Sequence, residues 1–229
     1  MIDERPLLTI RREFPRPEPK SVARFAGAAT VHLVDAMGGR GALGHQIKAV
    51  SAASATFTGT AFPCYAGPDD TLALLAALEL ARAGDVVVAA TEGFEGSAVV
   101  GDLFVAIART RGITAIVTDG LARDSEGIAA SGLPVFASGI SPNSAARSGP
   151  GTVGLPVDIS GVRISPGDVL VGDRDGVVVV GRDDLDAVHG QLEAVRAAES
   201  SYPTGPGGEV RVPQFVRTLL ESGQVRYVD

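Results

Sequence analysis

Between residues 69 and 138 the sequence passes three times from a helical pattern to a short apolar run, and this alternation limits the chain to an α/β architecture. Pro68-Asp69-Asp70 is suited to open the first helix, because an aspartate oxygen accepts from free N–H groups there. Leu72, Leu75, Ala76 and Leu80 then share one helical face, and Gly84 is expected to close the helix. Asp85-Val86-Val87-Val88-Ala89-Ala90 reads as a strand covered on both faces. A Gly-containing turn, Glu92–Gly96, leads to a second helix over Gly101–Arg111, ended by Gly112. The strand Thr114–Thr118, a helix over Asp124–Ser131 and the strand Val135–Ser138 complete the unit.

On either side the pattern differs. Residues 1–25 are polar and rich in Pro and Arg, and read as an arm that crosses the surface or a neighbouring subunit. Ala28–Met37 is a short helix stopped by Gly38-Gly39, and Ile47–Cys64 holds one long strand or two. After Ser138, Gly and Pro punctuate short Val/Ile runs at Val153–Ile159, Val162–Ile164, Val169–Val171 and Val177–Val180, which is a β-rich pattern. A helix over Asp183–Ala198 follows, and the tail from 201 to 229 carries a short helix, Pro213–Glu221, with Pro213 at its first position. No polar linker separates the α/β and β-rich parts. The expectation is therefore one domain of β/β/α layers over residues 26–200, with a central mixed sheet. With no Trp and 5% aromatics, its core must be built mainly from Val, Leu, Ile and Ala.

Charge narrows the function. A net charge of −7 repels phosphate backbones, so no nucleic-acid partner is expected, and a site for an anionic substrate must be made locally positive. The single cysteine, Cys64, excludes a disulfide framework and a cysteine-cluster zinc site. MIDERPLL lacks the basic-then-apolar pattern of a secretory signal and no apolar run is long enough to span a bilayer, so a cytoplasmic, membrane-free protein is expected.

Local positive potential is available at the start of the second helix. Gly101, Asp102, Leu103 and Phe104 present backbone N–H groups without intrahelical partners, and Gly101 lets a ligand approach the backbone. Arg123 offers a planar fork of donors for a carboxylate or a polarised carbonyl. Asp124 offers hard oxygen of the kind that suits Mg²⁺ or Mn²⁺. From the dipeptide alone, Arg123-Asp124 is equally an exposed ion pair. His32, His45 and His189 are scattered and read as packing or surface residues, and Asp168, Asp173 and Asp175 as turn formers. Ser141–Ser148 reads as a solvated loop, with contact of Arg147 to a distal carboxylate as the alternative.

The spaced string Val100-Gly101-Asp102-Leu103-Phe104-Val105-Ala106, Arg111-Gly112, Ile116-Val117-Thr118-Asp119-Gly120-Leu121-Ala122-Arg123-Asp124 resembles the hallmark of the RraA-like family. That family includes class II 4-hydroxy-4-methyl-2-oxoglutarate / 4-carboxy-4-hydroxy-2-oxoadipate aldolases and the regulator of ribonuclease E activity. The aldolase-type pattern, an Asp, twenty residues, then Arg-Asp, is matched by Asp102 and Arg123-Asp124. The likeness extends over roughly residues 28–198, through Gly84–Val88, Gly132–Phe136, Gly149–Gly151, Pro166–Asp168 and Asp175–Val179.

The resemblance implies a swivelling-domain-like layered fold and a metal-dependent lyase that cleaves 4-hydroxy-2-oxo acids to pyruvate, with oxaloacetate decarboxylation as a side activity. It also implies the roles of the residues. Gly101–Phe104 would bind the substrate carboxylate through backbone N–H groups, Arg123 would contact the 2-oxo group, Asp124 would ligate the cation, and Asp102 would hold metal-bound water. A carboxylate from a neighbouring subunit, Glu199 or Glu193, would complete a site between protomers of a trimer or hexamer. Two features depart from the family: Asp70 stands where Asn is expected, and Glu92 and Glu95 occupy the loop taken to line the distal end of the substrate. No Lys lies between Glu92 and Asp124, which disfavours a Schiff-base aldolase. The rival readings are a ribonuclease-binding regulator without catalysis and a methyltransferase. For the second, the chain lacks a Gly-rich loop placed between a strand and a helix with an acidic residue about 20 positions on.

Overall fold

The computed structural model describes residues 6–200 and 212–228; the remainder of the expected C-terminal tail lies outside the described residues. The chain opens with strand β1 (Leu8–Ile10) and helices α1 (Pro19–Ala23) and α2 (Thr30–Ala36), then β2 (Lys48–Ala49) and the long β3 (Phe57–Tyr65). The alternating unit follows as α3 (Leu72–Leu80), β4 (Asp85–Ala90), β5 (Ala98–Val100), α4 (Asp102–Thr110), β6 (Ala115–Thr118), β7 (Leu121–Ala122), α5 (Ser125–Ser131) and β8 (Val135–Ala137). The β-rich part comprises β9 (Gly139–Ile140), β10 (Gly151–Val153), β11 (Val157–Ile159), β12 (Val162–Ile164), β13 (Val169–Asp173) and β14 (Gly176–Val180). Helices α6 (Leu185–Ser200) and α7 (Gln214–Glu221) close the described chain.

A nine-stranded mixed sheet forms the centre. β3, β4, β6 and β8 run parallel, as the alternation with helices requires. All six residues of β4 are buried, which matches its unbroken apolar run. The outer edge of β3 is shared: Phe57–Thr60 pair antiparallel with β13, and Cys64–Tyr65 with β10. Three apolar clusters result. One lies under α3, α4 and α5, one under the β11–β12 hairpin, and one joins Phe25, Leu33, Val188 and Leu192 to β13 and β14. The architecture is thus α/β with a central mixed sheet, as expected.

Two local expectations are corrected, and the arm is seen to lie on the domain. Helix α3 ends at Leu80, four residues before Gly84, because Asp85 Oδ2 accepts from the Arg82 N–H at 2.8 Å and organises residues 81–84 as a turn. Pro213 caps α7 rather than occupying its first turn. The arm does not stand apart from the domain: β1 pairs parallel with β10, and Phe14 stacks on Phe62 at 5.7 Å. No helix among the described residues is long and apolar enough to cross a membrane.

The arm is also pinned electrostatically. Both oxygens of Asp85, itself 1% exposed, accept from the Arg16 guanidinium at 2.5 and 3.1 Å. Replacing Arg16 by Ala leaves that buried carboxylate with only the Arg82 N–H as a donor, and a loss of about 2–4 kcal/mol in unfolding free energy is expected. Urea denaturation checks this; a midpoint equal to that of the wild type would show the pair to be energetically idle.

Candidate active site

Two short parallel strands build the site. β5 and β7 pair with Val100 opposite Ala122, in a three-stranded sheet completed by β9. The residues that follow this pair are Gly101 and Arg123, and the Arg123 N–H donates to Val100 O at 2.8 Å. The chain then turns into α4 after Gly101 and into α5 after Asp124, so both helices start at the same edge, beyond the carboxyl ends of the strands. Arg123-Asp124 therefore follows β7 directly, not β6; the turn at Asp119-Gly120 separates the two strands.

The side chains converge. Arg123 Nε lies 3.2 Å from Asp124 Oδ2, and both side chains are about two-fifths exposed. A Cβ placed on Gly101 would sit 2.7 Å from Asp124 Oδ2 and 3.2 Å from Arg123 Nε. A Cβ on Gly127 of α5 would lie 2.9 Å from Asp102 Cβ and 3.5 Å from Asp102 Oδ2. Asp124 thus packs over the start of α4, and Asp102 packs over α5. The Asp102 carboxylate has no hydrogen-bond partner among the described residues. Asp124 also holds φ at +56°, a left-handed conformation that few non-glycine residues adopt and that tends to occur at functional sites. Here it turns the carboxylate back onto Gly101.

Gly101 and Arg123 line a narrow cleft of about 10 Å³, room for one water molecule, that also touches Thr71, Phe104, Ser144 and Arg147. Larger grooves lie elsewhere, such as one of about 480 Å³ lined by Arg40, Asp168 and Gln191. The narrow cleft joins the α4 N-terminus to two guanidinium groups, Arg123 and Arg147. The loop from 141 to 148, read from sequence as solvated, thus brings Arg147 to the Arg123 cleft. The loop over 91–97 is fixed from below. Buried Asp119 accepts from Thr91 N and Oγ1 through Oδ1 and from Gly93 N, at 2.9 Å, through Oδ2. Glu92, also at positive φ, accepts from Tyr65 Oη at 2.5 Å; this hydrogen bond, aided by burial, pushes the phenol pKa up.

The remaining candidates lie apart from this edge or serve the scaffold. Glu199 pairs with His32 at 2.5 Å within the same chain, and Glu193 with Arg196 at 2.9 Å, both on α6, which packs against α2. Asp173 caps α2 by accepting from Thr30 N and Oγ1. Burial raises its pKa, but these bonds and those from Asp175 and Gly176 outweigh burial and hold the carboxyl below its ordinary value. Asp168 accepts from Ser165 N and Arg182 N, yet burial dominates and pushes its carboxyl up.

Among the described residues, no three His, Cys, Asp or Glu side chains are grouped to hold a metal. The edge fits a cation of a different kind. Asp124 and Asp102 supply hard oxygens, the missing Cβ of Gly101 lets Asp124 Oδ2 pack closely against the start of α4, and Mg²⁺ is commonly held by one or two carboxylates plus water and substrate. Filling that space tests the geometry. Gly101→Ala should keep the melting temperature within a few degrees, because the added methyl meets exposed side chains that can move, while displacing Arg123 and Asp124 and lowering turnover about tenfold or more. Unchanged turnover would show that the close approach has no function.

The family model RraA-like, described as Aldolase/RraA, matches residues 30–179. A protein of Halalkalibacterium halodurans provisionally named 4-hydroxy-4-methyl-2-oxoglutarate aldolase is 33% identical over 159 residues, 69% of this chain and 75% of its own. An uncharacterized protein from Pseudomonas syringae pv. tomato superposes with a TM-score of 0.71 at 26% identity, over 82% of this chain and 92% of its own. The RNA-processing inhibitor RraA from Thermus thermophilis superposes with a TM-score of 0.61 at 26% identity, over 67% and 92%.

Proposed function

This chain belongs to the RraA-like family, and from that membership we propose that it is a divalent-metal-dependent lyase cleaving 4-hydroxy-2-oxo diacids, such as 4-hydroxy-4-methyl-2-oxoglutarate, to pyruvate and a second 2-oxo acid. The observation that carries the proposal is the packing of Arg123 and Asp124 against Gly101 at the start of α4, whose first residue is Asp102.

The residues divide the work as follows. The N–H groups at Gly101–Phe104, favoured by the helix dipole, seat the substrate's C1 carboxylate. Arg123 donates to the 2-oxo oxygen, where negative charge grows as the bond breaks. Asp102, exposed and unpaired, takes the 4-hydroxyl proton directly or through water. The C3–C4 bond then cleaves, C4 becomes a carbonyl, and the electron pair is held as a pyruvate enolate that is protonated at C3. Asp124 would hold the cation, which when bound supplies Lewis acidity at the 2-oxo group. Arg147, which lines the same cleft, would meet the substrate's second carboxylate. Loss of carbon dioxide from oxaloacetate develops the same enolate charge and is expected as a side activity.

A carboxylate from a neighbouring copy, with Glu199 as the candidate, would complete the donor set in a trimer or hexamer. The test is pyruvate release from a panel of 4-hydroxy-2-oxo acids and oxaloacetate, with and without Mg²⁺. The likeness to an RNA-processing inhibitor supports a second reading, in which the chain is a binding partner of a ribonuclease and has no turnover. Capture of a ribonuclease with no pyruvate release from any acid would favour it.

A further inference from the structure

Resting on the lyase reading, we propose that Asp70 is a positioning residue that holds the Arg147 guanidinium in place for the second carboxylate of the substrate. Asp70 is 6% exposed and faces three backbone donors. Its Oδ1 accepts from Leu72 N at 2.7 Å, at the start of α3, and its Oδ2 accepts from Ser148 N at 2.5 Å and Gly149 N at 2.9 Å. On the other side of Arg147, the Ala146 N–H donates to Asp69 O at 2.9 Å, and Ala146 O accepts from Thr71 N and Oγ1 at 3.0 and 2.9 Å. Both neighbours of Arg147 are therefore fastened to residues 69–71. The loop is tied to β5 as well, by Ala98 N to Asn143 O at 3.0 Å and Ala145 N to Ala98 O at 3.3 Å.

All these bonds fix the backbone of a loop whose own side chains are largely exposed, so burial does not explain them. The Arg147 side chain has no hydrogen bond or ion pair among the described residues, and it shares the cleft with Arg123 and the α4 N-terminus. Arg123 already pairs with Asp124 at 3.2 Å, which leaves Arg147 as the uncompensated cation of the cleft. A substrate with a carboxylate beyond the one seated at α4 would meet it.

The chemistry at position 70 favours a carboxylate over an amide. A carboxylate has acceptors on both oxygens, enough for all three N–H groups. An asparagine keeps one oxygen and turns an NH₂ group toward at least one backbone donor. The expected result of Asp70→Asn is a displaced Arg147 and weakened recognition of the second carboxylate.

Calorimetry with Mg²⁺ present, comparing the unreactive diacid 2-oxoglutarate with pyruvate, reads this without turnover. Wild type is expected to bind 2-oxoglutarate about tenfold or more tightly than pyruvate. That preference should shrink to about twofold in Asp70→Asn, in the exposed-site variant Arg147→Ala, and no further in the double variant. Equal affinities in wild type, a preference surviving in Arg147→Ala, or losses that multiply in the double variant would overturn the inference. A fold defect at position 70 would weaken both acids alike and would also count against it. In turnover, the same variants should lower kcat/KM for 4-hydroxy-4-methyl-2-oxoglutarate relative to 4-hydroxy-2-oxopentanoate, through KM. Absence of pyruvate from both substrates in wild type would refute the lyase reading, while the calorimetric preference would still decide the role of Asp70.

Discussion

Arg123→Ala is expected to lower the kcat for pyruvate release about 10²- to 10³-fold while leaving the fold intact. The rate effect follows from the position of the guanidinium: it is presented by Val100–Ala122 pairing at the start of α4, where the 2-oxo oxygen would gain charge. Removing one preorganised donor to a developing oxyanion typically costs that much. The stability effect is small because the Arg123–Asp124 pair is about two-fifths exposed and worth about 0–1 kcal/mol. The pair of measurements is steady-state kinetics and thermal melting. Turnover within a few-fold of wild type, or loss of folding in step with loss of rate, would remove Arg123 from the chemistry.

Removal of divalent cations is expected to have a comparable effect. Excess chelator should reduce cleavage to about 1% or less of the replete rate, and Mg²⁺ or Mn²⁺ should restore it, since Lewis acidity contributes several kcal/mol to such reactions. The motive is the placement of Asp124, whose left-handed backbone aims a hard-oxygen ligand at the open start of α4. Asp124→Asn should raise the metal concentration needed for half-maximal rate. Full activity in chelator, with residual metal excluded by elemental analysis, would show that the carboxylates serve another purpose.

Much of this arrangement was legible in the sequence wherever a segment was long enough to show a period. β4 matches its apolar run residue for residue, α4 differs by a residue at each end and β6 by one at its start. Gly101, Asp102, Arg123 and Asp124 were singled out through the family resemblance, since a helix start and an Arg-Asp pair taken alone read equally as ordinary surface features. What escaped was the device that joins them. β5, β7 and β9 are two or three residues long, too short to display alternation, and their pairing is a tertiary event. The arm gave no strand signal because β1 is three residues long and is stabilised by β10, some 140 positions away. The strongest overlooked signal was Asp70. A carboxylate where an amide is usual pointed to several donors converging there, and these proved to be the backbone on both sides of the Arg147 loop.

The most direct measurement is pyruvate formed by the purified chain from 4-hydroxy-4-methyl-2-oxoglutarate in the presence of Mg²⁺, followed by coupled reduction. Release of two pyruvates for each substrate consumed, one from each side of the cleaved C3–C4 bond, is the predicted result. No release from this or any related 4-hydroxy-2-oxo acid, by protein shown to be folded and metal-replete, would contradict it.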